Sequence, residues 1–162
     1  MKALFFSAVA IIVTYIGYTI FAFNKVPKSI SDTYYQWADR GAKYLFTTVM
    51  WATGVLLLPY WLVKSDPILQ CLPFLSVSGM MFVGGACAFQ ETLTKGVHYT
   101  SAAVWSAFAL LYMVLSQSWA ALIAGVVFGV STIVLDKNRH KHFTFWLECS
   151  CVLAMIICIG ML

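Results

Sequence analysis

The fold class this sequence predicts is an all-α, polytopic integral membrane protein, and three observations predict it. Of its 162 residues, 62% are hydrophobic and 10% are charged, whereas a soluble domain averages about 45–50% apolar and about 25% charged residues. The mean hydropathy is +0.86. Apolar runs also recur along the chain at the length of a membrane span, ~20 residues, separated by short polar turns. The length suits one domain, 1–162, with no internal repeat or low-complexity tract. The formal net charge of +4 rests on few charged groups. It gives no reason to expect nucleic acid as a partner and mainly reports topology.

Six spanning helices in one bundle are predicted, at about 3–23, 44–63, 67–90, 98–115, 119–135 and 143–162. The first apolar run exceeds the roughly 7–15 residues of a signal-peptide core, and no small-x-small cleavage site closes it. It is read as a retained span. The connection from Asn24 to Lys43 carries a short amphipathic helix. "SISD" at 29–32 fits a capping box, with Ser29 as the cap. Ile30, Tyr34 and Trp37 then follow at helical spacing, which suits a helix lying in the interface with Tyr and Trp at headgroup level.

The turn "KSDP" at 64–67 opens the third helix, where Asp66 can cap and Pro67 takes the first helical position at no cost in hydrogen bonds. Gly79, Gly84 and Gly85 allow close contact in that helix, and Met80 and Met81 are filler. Gln90 and Glu91 end it, Gly96 breaks it, and His98 starts the fourth helix. "SQS" at 116–118 makes a tight hairpin between the fourth and fifth helices. In the fifth, Ala121, Gly125 and Gly129 form a small-xxx-small face, suited to packing within the chain or to a homo-oligomer. The basic turn "NRHKHF" leads into the sixth helix. The cysteines Cys71, Cys87, Cys149, Cys151 and Cys158 form no CxxC pair and read as free thiols; a Cys71–Cys158 bridge is the alternative.

Lysine and arginine set the orientation. The odd loops hold Lys25, Lys28, Arg40, Lys43, Lys95, Lys137, Arg139 and Lys141, against Lys2 and Lys64 on the other side. The positive-inside rule then puts the odd loops in the cytoplasm and both termini outside.

Six helices also put loops one, three and five on one membrane face, whichever way the bundle points. Ser29, Ser31, Asp32, Glu91, His98, His140 and His142 therefore share that face. Glu148 lies six residues beyond His142, roughly 9 Å deeper along the sixth helix. A carboxylate in a span is costly and faces the bundle interior with a partner; His98 or an interfacial lysine or arginine is the expected partner. The bland reading is a glutamate whose side chain reaches water.

His98 begins a stripe continued by Ser101, Ala102, Trp105, Ala109 and Tyr112. The stripe reads either as ordinary packing or as a ligand-facing surface. A polar pocket of Ser31, Asp32, Gln90, Glu91, His98 and Glu148 is the candidate ligand site, and His98, Asp32 and Glu148 are the catalytic candidates. His140 and His142 read as a basic anchor to anionic lipid headgroups. No cofactor is expected; the alternative is zinc on His98, His140 and His142, a ligand set with no diagnostic spacing. A Ser31, His98 and Asp32 nucleophile relay is topologically allowed, although adjacent Ser and Asp side chains rarely converge on one histidine.

These motifs resemble a known family. "SISDT" before the second helix is similar to the first-loop motif of the damage-regulated autophagy modulator (DRAM) and Sfk-type membrane proteins. "AFQETLTKGVHYTSAAVWSAFALLYMVLSQ" resembles that family's run from a phenylalanine–glutamine pair through a histidine to an L-Y pair, and "FWLE" resembles its acidic/Trp pair. Tyr34 and Ser101 stand where the family pattern has glycine. The compact chain is similar to a minimal bacterial or viral version of such a protein. The resemblance implies six helices, a first loop outside the cytosol (opposite to the charge count) and a lipid-linked role, with a remote tie to proteins that remodel GPI-anchor lipids.

Three functions follow as expectations. The first is a non-enzymatic membrane protein that holds lipids through the polar pocket. The second is a membrane-embedded lipid hydrolase using His98 and a carboxylate. The third, a small-solute or proton pathway through Glu148 and His98, lacks a filter-like motif or a discontinuous helix pair.

Overall fold

The computed structural model describes residues 1–88 and 90–162. Phe89, which opens the phenylalanine–glutamine pair of the resemblance, lies outside them. Among the described residues seven α-helices run in order: α1 (Lys2–Phe23), α2 (Thr33–Ala38), α3 (Leu45–Lys64), α4 (Cys71–Gly85), α5 (Thr92–Leu115), α6 (Trp119–Leu135) and α7 (Arg139–Met161). A single 3₁₀ turn, Pro67–Leu69, leads into α4. Five segments are long and apolar enough to cross a membrane: α1, α3, Pro67–Gly85, Thr94–Leu115 and α7. The remaining predicted span, the fifth (119–135), is α6, apolar but only 17 residues long.

Packing runs sequentially. α1 lies on α3, α3 on α4, α4 on α5, and α6 on α7, whereas α5 meets α6 and α7 only sparsely. The core gathers Ile12, Leu57, Met80 and Met155 from α1, α3, α4 and α7, all buried. Small residues set the tightest crossings. A Cβ on Gly79 would sit 2.7 Å from the backbone nitrogen of Trp105, so α4 and α5 touch backbone to backbone there. A Cβ on Gly125 would sit 2.7 Å from that of Ala154. Ser150 Oγ donates to the Gly125 carbonyl at 2.5 Å. The Ala121, Gly125 and Gly129 face is therefore buried against α7 within the chain, the first of its two expected uses.

Both tight turns form where the sequence put them. Asp66 accepts the Ile68 N–H at 2.9 Å and Pro67 follows at the first position, though the pair starts the 3₁₀ turn and α4 proper begins at Cys71. Gln117, in the middle of "SQS", takes a left-handed φ of 55°. All five cysteines are free, so the Cys71–Cys158 bridge is not made.

Three boundaries differ from expectation. α4 ends at Gly85 instead of near residue 90. Side chains from other helices take over carbonyls freed at its end: Thr47 Oγ1 donates to Gly84 O at 2.8 Å, and His98 bonds Ala86 O. α5 starts at Thr92, after an extended Glu91. Gly96 therefore lies inside the helix and does not break it, a tolerable cost of about 1 kcal/mol relative to alanine. Gln90 and Glu91 precede α5 and do not end α4. α7 starts at Arg139, so His140 and His142 belong to its first turn.

The first-loop helix α2 forms, and it packs on the bundle. Its Trp37 is buried against α1: Trp37 Nε1 donates to Thr19 Oγ1 at 3.0 Å, and its ring stacks on Tyr18. Tyr15 and Thr33 share a buried hydroxyl pair at 2.5 Å. Buried Trp and Tyr need polar partners, and α1 supplies them, which draws the loop inward. Ser29 Oγ accepts the Asp32 N–H at 2.9 Å as a capping box requires, although regular helix begins at Thr33, three residues later than a Ser29 cap would start it.

Candidate functional site

The segment Lys28–Asp32 lies across the gap between α5 and α7 and is tied to both. On the α7 side, the Phe145 N–H donates to Lys28 O at 3.0 Å. The Ile30 N–H donates to Glu148 Oε2 at 2.5 Å. On the α5 side, His98 Nε2 meets Ser31 Oγ at 3.1 Å. The loop is thus a strap joining two helices that otherwise barely touch. Glu148 accordingly has a backbone N–H as its partner in place of the expected His98, lysine or arginine. A carboxylate one helical face away from a loop can satisfy an amide that no helix would pair.

His98 is buried, with 3% of its surface exposed, and is held from both ring nitrogens. Nδ1 lies 3.0 Å from the Ala86 carbonyl oxygen. A carbonyl only accepts, so Nδ1 carries the proton. In the neutral imidazole Nε2 is then the acceptor, and the Ser31 hydroxyl donates to it. Asp32 does not complete this relay; its carboxylate accepts from Gln36 Nε2 at 3.2 Å instead. The reason is local: Ser31 and Asp32 are neighbours at the start of α2, and their side chains diverge.

Around this pair opens a cleft of about 550 Å³, lined by Lys28, Ser31, Asp32, Gln90, His98 and Glu148 among others. Five of the six predicted pocket residues are therefore brought together. Glu91 is not: it is exposed at the start of α5 and does not line the cleft. Gln90 is held by its backbone, whose N–H donates to Tyr35 Oη at 2.8 Å.

Below the cleft the character changes. A cavity of about 310 Å³ follows, lined by Phe46, Met50, Val83, Trp105 and Leu110, with Ser31 and Glu148 at its polar edge. A third space of about 230 Å³ continues to Met113, Leu122 and Val126. Ser106 and Leu147 line all three. The three spaces adjoin at these two residues, polar at the strap and apolar away from it: α5 and α7 line all three, α3 and α4 add to the wall of the second, and α6 to that of the third.

Ser106 and Leu147 were not among the residues singled out from the sequence. The signal for Ser106 was present: His98, Ala102, Ser106 and Leu110 repeat every four residues, and these face the groove. The stripe read from the sequence mixed two faces. Its Ser101 and Trp105 backbone packs against Gly79 of α4, and Tyr112 is buried, its hydroxyl accepting from Ser65 Oγ at 2.9 Å.

The three histidines do not converge. His142 Nδ1 pairs with Asp136 Oδ2 at 2.8 Å, and Trp146 Nε1 donates to the same oxygen at 2.7 Å. His140 is exposed. Among the described residues no cluster of three or more His, Cys, Asp and Glu side chains could hold a metal ion. Asp136, in the turn before α7, is held below the usual carboxylate range, first by the Trp146 hydrogen bond and further by Asn138 and His142.

No family model, curated protein or solved structure matches the chain.

Proposed function

We propose that this chain is an integral membrane protein that holds one amphiphilic lipid between α5 and the α6–α7 pair. The polar head sits in the strap cleft and a chain lies in the apolar groove below. One observation carries this reading: Ser106 and Leu147 line the polar cleft and both apolar spaces, so a single molecule with a polar end and an apolar tail can fill them together. Ligand sites of comparable size are mostly apolar with a few fixed polar groups, as this one is.

In the same reading six segments span the bilayer. α6, at ~25 Å, is shorter than the ~30 Å hydrocarbon core, which local thinning accommodates. The excess of lysine and arginine in the odd loops puts the cleft on the cytoplasmic side and both termini outside. Lys28 at the cleft, with the basic turn before α7, favours an anionic headgroup. The resemblance to the DRAM and Sfk-type proteins points to the same lipid-linked role.

The test is native mass spectrometry of the full chain released from detergent. Wild type is expected to carry co-purified lipid. Ser106→Trp, which fills the junction of cleft and groove, is expected to lose it. Lipid-free wild type, or equal lipid on both proteins, overturns the reading.

A further inference from the structure

We propose that Ser31 and His98 are a nucleophile–base pair that hydrolyses a carboxylic ester of the lipid in this groove. The inference rests on the lipid-holding reading above and names the chemistry of that site.

Four observations support it. The first is position. Ser31 lines both the polar cleft and the upper apolar cavity, so it stands at their boundary. In an acyl lipid the ester carbonyl lies at that same boundary, between head and chain. The second is protonation state. The Ala86 carbonyl fixes His98 as the Nδ1–H tautomer, leaving the Nε2 lone pair on the Ser31 hydroxyl at 3.1 Å. That is hydrogen-bond reach for general-base removal of the serine proton.

The third is presentation. The backbone on both sides of Ser31 is pinned: the Ile30 N–H is on Glu148 and the Asp32 N–H is on Ser29. The fourth is surroundings. His98 and Ser31 are buried, at 3% and 6% exposure, yet both face the cleft. A lipid seated in the cleft therefore reaches both side chains.

The steps balance without a metal or redox partner. Ser31 Oγ bonds to the acyl carbon as its proton passes to His98 Nε2. The carbon–oxygen bond to the lipid alcohol then breaks, and His98 returns the proton to the departing oxygen. Water adds to the acyl-serine carbon, His98 takes the water proton, and the Ser31–acyl bond breaks. The proton returns to Ser31 Oγ, releasing a fatty acid. The orienting group for the imidazole is a neutral backbone carbonyl where a Ser-His-Asp triad has a carboxylate. Turnover is therefore slow, and covalent capture of Ser31 reads the pair more directly than product formation.

The full chain in detergent micelles is treated with an alkyl fluorophosphonate, and the labelled residue is mapped by mass spectrometry. Label is expected on Ser31 of wild type and not on Ser31→Ala. His98→Gln, which keeps a hydrogen-bonding side chain but no base, is expected to label at least ~100-fold more slowly. Each variant is also examined by size exclusion and for bound lipid. If Ser31→Ala does not fold, Ser31→Cys preserves the shape and is expected to lose the serine adduct. Wild type that carries lipid but leaves Ser31 unlabelled overturns the dyad alone, as does equal labelling of His98→Gln. Wild type without lipid overturns the groove reading, and the assigned substrate class with it.

Discussion

The two flanks of α5 are built by opposite rules. Toward α4 the helix is pressed so close that Gly79 meets the backbone of Ser101 and Trp105, and Ser76 Oγ donates to Trp105 O at 3.1 Å. Toward α6 and α7 it makes few contacts, and a groove opens along Ser106 and Leu110. Among the described residues the strap bridges that gap at its polar end. One helix is therefore closed on its packed side and open on the other. A seam closed by small residues and a seam left open by Ser, Leu and Trp are made from side chains of similar polarity, so geometry alone separates scaffold from site.

Four perturbations break or sharpen the contrast. The largest effect is expected at the closed flank. Gly79→Val forces its Cβ against two backbone atoms, which cannot swing away as a side-chain end would. Overpacking costs typically 1–3 kcal/mol, and this site is expected near the upper end, read as a lowered Tm in detergent. A wild-type Tm would show that the α4–α5 seam is not tight.

Next is the strap. Glu148→Ala leaves the Ile30 N–H without its acceptor, at about 1–3 kcal/mol for an unsatisfied buried donor. Glu148→Gln keeps a carbonyl oxygen there and is expected to lose less. The melting temperatures of the two variants, together with hydrogen exchange at the Ile30 amide, check this; equal losses would show that charge matters there more than the hydrogen bond.

Third, Ser106→Trp adds volume to the open flank of the same helix. It is expected to leave the Tm unchanged or raised while emptying the groove of lipid. A Tm loss matching that of Gly79→Val would erase the distinction between the flanks.

The smallest effect is at the turn that joins α6 to α7 as a unit facing the groove. Asp136 is held ionised by Trp146, Asn138 and His142. Its folded value is lowered, so its contribution to stability is complete above the unfolded value of about 3.9 and fades as the pH falls through the lower folded value. Melting curves of Asp136→Asn are expected to lose this slight acid dependence; an unchanged dependence would place its source elsewhere.

The helices were largely legible because apolar run length and turn residues are local properties. Asp66–Pro67 and the "SQS" hairpin needed nothing beyond neighbouring residues. The gathering of Ser31, Asp32, His98 and Glu148 was legible from helix parity alone, which puts odd loops together. Their pairings were legible only in part. Ser31 on His98 belongs to the relay that the topology allowed, but Asp32 turns to Gln36 and Glu148 takes the Ile30 amide, because the strap's backbone path depends on how α1 draws Trp37 and Thr33 inward. Where α5 begins was also hidden. Gly96 looks like a breaker, but Thr94 Oγ1 bonds back to the Ala88 and Glu91 carbonyls and ties the turn before it. The open flank escaped notice since alanine and serine lie on both sides of α5.

The length of the groove has a consequence of its own. Its lining runs from Ser31 beside His98 down to Met113 and Leu122, and His98 to Met113 is ~22 Å along α5. On the proposed lipid reading, with a carbonyl placed at Ser31, that distance would make the groove a gauge. Chains ending short of Met113 would leave apolar wall uncovered, and longer ones would have to fold back or emerge between α5 and α6. Enlarging the far end at Leu122 would then reset the preferred chain length without touching the polar groups of the cleft.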